Sequence, residues 1–393
     1  MIKVRTGLDR IAAGEPEALK RVRGRRLGLV AHPASVALVN GRLMHAHDVL
    51  LAQGCDVRAL FGPEHGYGGH AQDMIAVDDD ESSTRVHSLY GPSEQDLSPR
   101  PEQLQDLDAI AIDLQDVGSR YYTFVWTAVL VLRAAAHAGV QVIVLDRPNA
   151  LGGTRVEGGP QRPGYRSFVG LHDVAVRHGM TLAELCKLGC EREGVDPGVL
   201  EIIAMSGYTR AMSFAETGVP WILPSPNMPT LDTALVYPGG CLLEGTNLSE
   251  GRGTTRPFEI WGAPFVDGQA LARELSIEGA VLRPLHFEPT FHKHGKHRCG
   301  GVQVHVTDAN AFAPYAAYAR LIAAVARQAP DAFAFRTEPY EFVSDRPAID
   351  LLIGGPELRT CIEQSIPVDD WLADDAKAAL RFATERAPFL LYR

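Results

Sequence analysis

DAIAIDLQDVGSRYYT, residues 108–123, passes from an apolar run through a polar stretch into a helix-like pattern that continues to His137. A strand, a loop rich in functional groups and then a helix is the repeating unit of a parallel sheet. Three further runs read as strands: RLGLVAH (26–32), DVRALFG (56–62) and VQVIVLD (140–146). Between them lie helix-like patterns at Met44 to Gln53, Pro101 to Leu107 and Tyr122 to His137. A fourth, TLAELCKLGCERE (181–193), carries Thr181 as N-cap with Glu184 completing a capping box. The alternation predicts an α/β, Rossmann-like, doubly wound parallel sheet over residues 1–235. From about residue 220 the chain turns to Pro, Gly, Thr and Asn in WILPSPNMPTLDTALVYPGG and EGTNLSEGRGTTRPFEIWGAP, which read as long loops. A strand at GGVQVHVTD (300–308), a helix at APYAAYARLIAAVARQAP and a short charged tail then predict a second, smaller α/β domain over 236–393.

The chain has 393 residues, 46% of them hydrophobic, enough to bury a core in each domain. A net charge of −10 argues against a counterion-release grip on nucleic acid and for a small-molecule or glycan partner. The longest apolar run, Phe124 to Leu132, is too short to span a bilayer, so no membrane partner is expected. The N-terminal stretch lacks an apolar signal-like core, which reads as cytoplasmic for the chain as it stands. Six cysteines without CxxC pairs suit a reducing compartment, and Cys186 and Cys190, one helical turn apart, read as core rather than metal ligands.

In open α/β sheets, ligands bind beyond the carboxyl ends of the strands. The residues leaving the four strands are His32 to Ser35, Gly62 to Gly66, Asp113 to Tyr121 and Asp146 to Asn149, and each exit carries polar groups. Paired carboxylates beside cations suit glycoside hydrolysis, in which one acid protonates the leaving oxygen. Glu64, in LFGPEHGYGGH (60–70), is the candidate acid; its structural alternative is a helix cap or a surface ion pair. Asp113 and Asp116 either join it or cap the next helix. The Arg120 fork suits a substrate carboxylate. Arg177 and His178 either reach the same edge or form a loop salt bridge. EGTNLSEGRGTTRPFE (244–259) crowds Glu244, Asn247, Glu250, Arg252, Thr254, Thr255 and Arg256 into a glycine-rich loop that something it binds or covers must order. GYGGH is a weak phosphate-loop likeness, and His45, His47 and the group His292, His294, His297 and Cys299 lack a closed zinc frame. No metal or cofactor is expected.

These segments, in order GLDRI, GLVAHPASV, LFGPEHGYGG, DLQDVGSRYYT, LDRPNALGG, VRHGMT, PSPNMPTLDTALVYPGG, EGTNLSEGRGTTRPFE and CGGVQVHVTD, resemble the exo-β-N-acetylmuramidases of the NamZ type, glycoside hydrolase family 171. The likeness runs from about Gly7 to the closing LLYR. It implies release of terminal N-acetylmuramic acid from peptidoglycan fragments, with a muropeptide or disaccharide as substrate. It also implies an active-site cleft between the two domains, with Glu64 as catalytic acid and His65, Asp116, Arg120, Tyr121 and Asn227 lining that cleft. N-acetylmuramic acid carries a lactyl carboxylate that N-acetylglucosamine lacks, so Arg120, Arg252 or Arg256 is expected to pair with it. Attack by the sugar's own acetamido group, with Asp116 orienting it, and direct inversion with Asp113 or Asp116 as base both remain open. The competing readings are a two-domain sugar-binding protein without turnover, and an esterase or amidase using Ser35 or Ser225, neither of which sits in a GxSxG elbow.

Overall fold

A computed structural model describes residues 4–68 and 84–393. The strands are β1 (Arg26–Ala31), β2 (Val36–Val39), β3 (Arg42–His45), β4 (Asp56–Gly62), β5 (Arg85–Ser88), β6 (Ala109–Asp113), β7 (Gln141–Leu145), β8 (Leu200–Ile203), β9 (Ile260–Ala263), β10 (Ala280–Phe287) and β11 (Cys299–Val306). Six of them form one parallel sheet in the order β5-β4-β1-β6-β7-β8. That order runs outward in both directions from β1 and β6, as in a Rossmann sheet, and places the topological switch between those two strands. Alternation explains the layering. Leu27, Leu29, Ala109, Ala111, Ile143 and Leu145 pack into one buried cluster, while Val30, Ile110, Ile112, Val142 and Val144 pack into another. Successive side chains point to opposite faces, so both faces of the central strands are covered and their interiors are apolar.

The helix Phe124–His137 lies on the second face and is buried almost all round, because Leu182–Glu193 covers its outer side. Thr181 caps that second helix, and its reciprocal box with Glu184 is formed as the sequence indicates. Antiparallel β10-β11-β9 make the smaller sheet, backed by the helices Pro314–Gln328 and Leu231–Gly240.

Several boundaries differ from expectation. The helix expected from Met44 begins at Ala46, because Arg42–His45 pairs with Val36–Val39 as a hairpin. Leu231–Gly240, read as loop from its Pro238 and glycines, is a helix, and its breakers sit in the last turn where few i−4 bonds remain to be lost. The closing tail is three helices, Ala348–Ile353, Glu357–Glu363 and Val368–Glu385. The last helix is amphipathic, with Val368, Leu372, Ala379 and Phe382 buried, and its many charges form the solvent face.

Candidate active site

The switch between β1 and β6 is filled by the protein itself. Asp113 is fully buried and pairs with Arg147 through Nε at 2.5 Å and Nη2 at 2.7 Å. Ser35 donates to the Asp113 carbonyl, and Gln115 N donates to His32 Nε2 at 3.0 Å. Burial raises the Asp113 carboxyl despite Arg147 and pushes the His32 imidazole well down, which holds it neutral. Asp113, expected at the substrate, is therefore a structural anchor beneath the loops.

The open cleft lies beside this plug, after β4. Gly62 ends that strand at a point where an added Cβ would meet Tyr67 N at 2.4 Å, so only glycine lets the chain fold back. Gly66 N then bonds Pro63 O at 3.0 Å, and His65 takes a left-handed conformation, φ 73°. Such backbone is costly for a non-glycine residue and here sets Glu64 and His65 on the wall of the cleft. Tyr67 tethers the turn, its hydroxyl lying 3.2 Å from His45 Nδ1, while His45 Nε2 reaches His32 O at 3.1 Å. Across the turn, Thr123 Oγ1 donates to Glu64 Oε2 at 2.6 Å.

The opposite wall comes from the second domain. Glu244, Arg252, Phe258, His292, Lys293, Arg336, Tyr340 and Glu341 face the same space, about 810 Å³ including its mouth. Arg252 Nη2 pairs with Glu244 Oε1 at 2.8 Å, and its Nε with Glu250 Oε1 at 3.1 Å. Glu250 is fully buried behind the wall and is also met by His292 Nδ1 and Lys293 Nζ, each at 3.1 Å. Burial alone would raise Glu250, but Lys293, His292 and Arg252 outweigh it and hold the carboxyl below its ordinary range. The glycine-rich loop is thus ordered by an internal charge cluster, with Glu250 as its hub.

Of the residues expected at the substrate, Glu64, His65, Tyr121, Asn227, Glu244 and Arg252 line the cleft. The rest do not. Arg120 is wholly buried, its fork donating to Gly159 O and Val174 O at 2.9 Å each and to Leu352 O at 2.6 Å. It is a clamp on backbone carbonyls and replaces the expected carboxylate reader. Asp116 is also buried, accepting from Gly118 N at 2.8 Å with His178 Nε2 3.5 Å away. His178 Nδ1 accepts from Met180 N, so the ring proton sits on Nε2, facing Asp116. Arg177 is held by Glu157 and the Leu151 carbonyl. Asn247 bonds the backbone at Ala332 and Ala334. Arg256 lies outside the cleft beside Asp232 and Glu259.

The four residues of the second group weighed for zinc turn to separate partners. His292 meets Glu250, His294 the Asn247 carbonyl, His297 the Gly295 carbonyl and Cys299 the His297 carbonyl. Of the phosphate-loop likeness, Gly69 and His70 lie outside the described residues. Sequence reading missed Tyr122, Thr123, Lys293, Arg336, Tyr340 and Glu341 on the cleft wall. Only Thr123 carried a signal, as the polar residue next after the two tyrosines of a strand-exit loop. Among the described residues, the Tyr121 hydroxyl and Asn227 Nδ2 are buried against the cleft without a partner. A sugar hydroxyl or amide would satisfy them.

A family model described as exo-beta-N-acetylmuramidase NamZ, N-terminal, matches residues 27–232, and its C-terminal counterpart matches 235–392. The chain is 38% identical over 398 residues to the peptidoglycan beta-N-acetylmuramidase NamZ of Bacillus subtilis (strain 168), covering 99% of this chain and 92% of that protein. Two solved structures of DUF1343 family proteins from Bacteroides fragilis are similar. One has a TM-score of 0.87 at 30% identity over the whole of both chains. The other has a TM-score of 0.70 at 27% identity over 99% of both.

Proposed function

The chain belongs to the NamZ family of exo-β-N-acetylmuramidases, and we propose that Glu64 is the acid of its glycosidase reaction. The enzyme is an exo-acting glycoside hydrolase that releases terminal N-acetylmuramic acid from peptidoglycan fragments. The observation that carries the acid assignment is the Glu64 turn, which presents a carboxylate on a cleft shared by both domains. The Thr123 hydroxyl supports it. Because that O–H donates to Oε2, a proton carried by the neutral acid belongs on Oε1. Proton transfer from Oε1 to the glycosidic oxygen accompanies cleavage of the bond to the anomeric carbon. Water supplies the new hydroxyl at that carbon, and its remaining proton restores the acid. A disaccharide of N-acetylmuramic acid β-1,4-linked to N-acetylglucosamine is the smallest substrate of this kind. Tyr121 and Asn227, with polar atoms awaiting partners, suit the hydroxyls and acetamido group of the sugar.

Among the described residues, no helix is long and apolar enough to cross a membrane. Six unpaired, buried cysteines support a reducing compartment.

The test incubates the wild type and Glu64→Gln with that disaccharide and follows free sugars by mass spectrometry. Release by the wild type, with turnover in the variant reduced at least ~100-fold and binding retained, is expected. Full turnover by Glu64→Gln removes Glu64 as the acid. Release by neither protein removes the disaccharide as substrate.

A further inference from the structure

The muramidase reading leaves open which side chain distinguishes N-acetylmuramic acid from N-acetylglucosamine, and any assignment of that side chain rests on the same reading. The two sugars differ by a lactyl ether ending in a carboxylate. Selecting that group takes a cation in the cleft whose charge and donors are not already committed.

Among the described residues, three permanent cations line the cleft: Arg252, Lys293 and Arg336. Arg252 is bound on one side to Glu244 and on the other to Glu250, with its guanidinium over the Phe258 ring. Lys293 Nζ has three protons, and it meets Leu243 O at 2.9 Å, Leu248 O at 3.2 Å and Glu250 Oε2 at 3.1 Å. Glu244 and Glu250 therefore neutralise these two cations before any ligand arrives. Arg336 differs. Its one carboxylate neighbour among the described residues, Glu338, stands 3.8 Å away with a side chain 72% exposed, a weak and solvent-screened pair. Its side chain donates from Nη2 to Pro339 O at 3.2 Å. Glu341, the remaining carboxylate on this wall, has an interaction of its own, and among the described residues the ion pair of Arg336 is the one with Glu338.

The side chain is nevertheless well placed. Its guanidinium lies 5.2 Å from the centre of the Tyr340 ring, and the Tyr340 hydroxyl is fixed on Glu244 at 2.8 Å. Arg336 N donates to Gly245 O at 2.9 Å, which ties the backbone to the charged loop. An arginine stacked on a fixed ring with most of its N–H donors unspent is prepared for a planar bidentate anion. We propose that Arg336 recognises the lactyl carboxylate and so determines specificity for N-acetylmuramic acid. It is a residue of substrate selection, separate from the acid on the facing wall.

The experiment compares wild type, Arg336→Gln, Arg336→Lys and Arg256→Gln on the p-nitrophenyl β-glycosides of N-acetylmuramic acid and N-acetylglucosamine. Binding of free N-acetylmuramate and N-acetylglucosamine is measured in parallel by calorimetry. In Arg336→Gln, KM for the muramic glycoside is expected to rise between ~10-fold and ~100-fold, the range of a lost charge-assisted pair, with kcat nearly unchanged. Binding of N-acetylmuramate should weaken by the same factor, and that of N-acetylglucosamine should not change. Arg336→Lys should recover part of the loss, and Arg256→Gln should behave as wild type. Unchanged discrimination in Arg336→Gln, or equal losses on both sugars, overturns the proposal while leaving muramidase activity standing. A wild type that hydrolyses neither glycoside and binds N-acetylmuramate no better than N-acetylglucosamine overturns the muramidase reading and this proposal with it.

Discussion

Thr123 Oγ1 and Glu64 Oε2 stand 2.6 Å apart, a hydrogen bond joining the residue before the helix Phe124–His137 to the turn after β4. These residues are 59 apart in sequence, and this bond occupies one of the two carboxyl oxygens of Glu64. Thr123→Val should lower kcat on the muramic disaccharide about tenfold with KM and thermal stability little changed, as loss of one orienting hydrogen bond implies. Thr123→Ser should retain activity. Steady-state kinetics on the two variants decide it, and equal kcat in Thr123→Val and wild type would rule out the positioning role.

Tyr67 does for the backbone of that turn what Thr123 does for the side chain. Tyr67→Phe removes the contact to His45 without removing the ring packed edge-on against the imidazole. The expected result is a fall in kcat of several-fold and a loss of stability near ~1 kcal/mol, measured by turnover and by urea denaturation. A variant that loses stability but no activity would make Tyr67 a packing residue only.

Arg120 satisfies three carbonyls from three separate segments, one of them at Leu352 in the second domain. Arg120→Met leaves all three unpaired in the interior, and a loss of about 3 kcal/mol or more is expected from a cost of ~1 kcal/mol each. Arg120→Lys should fail as well, because a point-like ammonium cannot span three divergent acceptors. Denaturant midpoints give the answer. A stable Arg120→Lys enzyme with raised KM would instead return Arg120 to the substrate.

Asp146 supplies a pH dependence whose sign can be worked out. It is buried, with donors at Tyr392 Oη (2.6 Å), Thr181 Oγ1 (2.8 Å) and Ala183 N (3.1 Å). Burial outweighs these bonds and pushes the carboxyl up to about 7. An unfolded aspartate titrates near ~3.9, so between pH ~4 and ~7 the folded chain keeps a proton that the unfolded chain has released. This contribution to stability is complete below pH ~4, shrinks as pH rises and is gone above ~7. Melting temperatures of wild type and Asp146→Asn should diverge from pH 5 to pH 8, the wild type losing several degrees relative to the variant. Parallel melting curves across that interval would refute the assignment.

The sheet was legible because its four central strands are short apolar runs, covered on both faces and bounded by polar or turn residues. β5 and β8 were not, because RVHS and LEII are short, half-exposed edge strands whose pairing is decided by neighbours far along the chain. Glu64 stood out as a carboxylate between turn residues at a strand exit. Arg120 shows the limit of that reasoning, since the same loop that sends Tyr121 into the cleft turns Arg120 into the interior. Arg336 had no local signal at all. Its availability comes from Arg252 and Lys293 being spent on Glu244 and Glu250, a property of assembled charges rather than of any stretch of sequence.

The C-terminal segment also bears on how the protein is made. Leu391 N donates to Glu184 Oε1, and the Tyr392 hydroxyl reaches Asp146, partners separated by 207 and 246 residues. Synthesis runs from the amino end, so Asp146 and Glu184 emerge from the ribosome long before the groups that complete their polar sites. The apolar strands of the large sheet emerge early, yet these two buried carboxyls wait for Leu391 and Tyr392. A chain synthesised only as far as Val306, the end of the second domain's sheet, would lack both of these partners, and the polar sites of Asp146 and Glu184 would be incomplete.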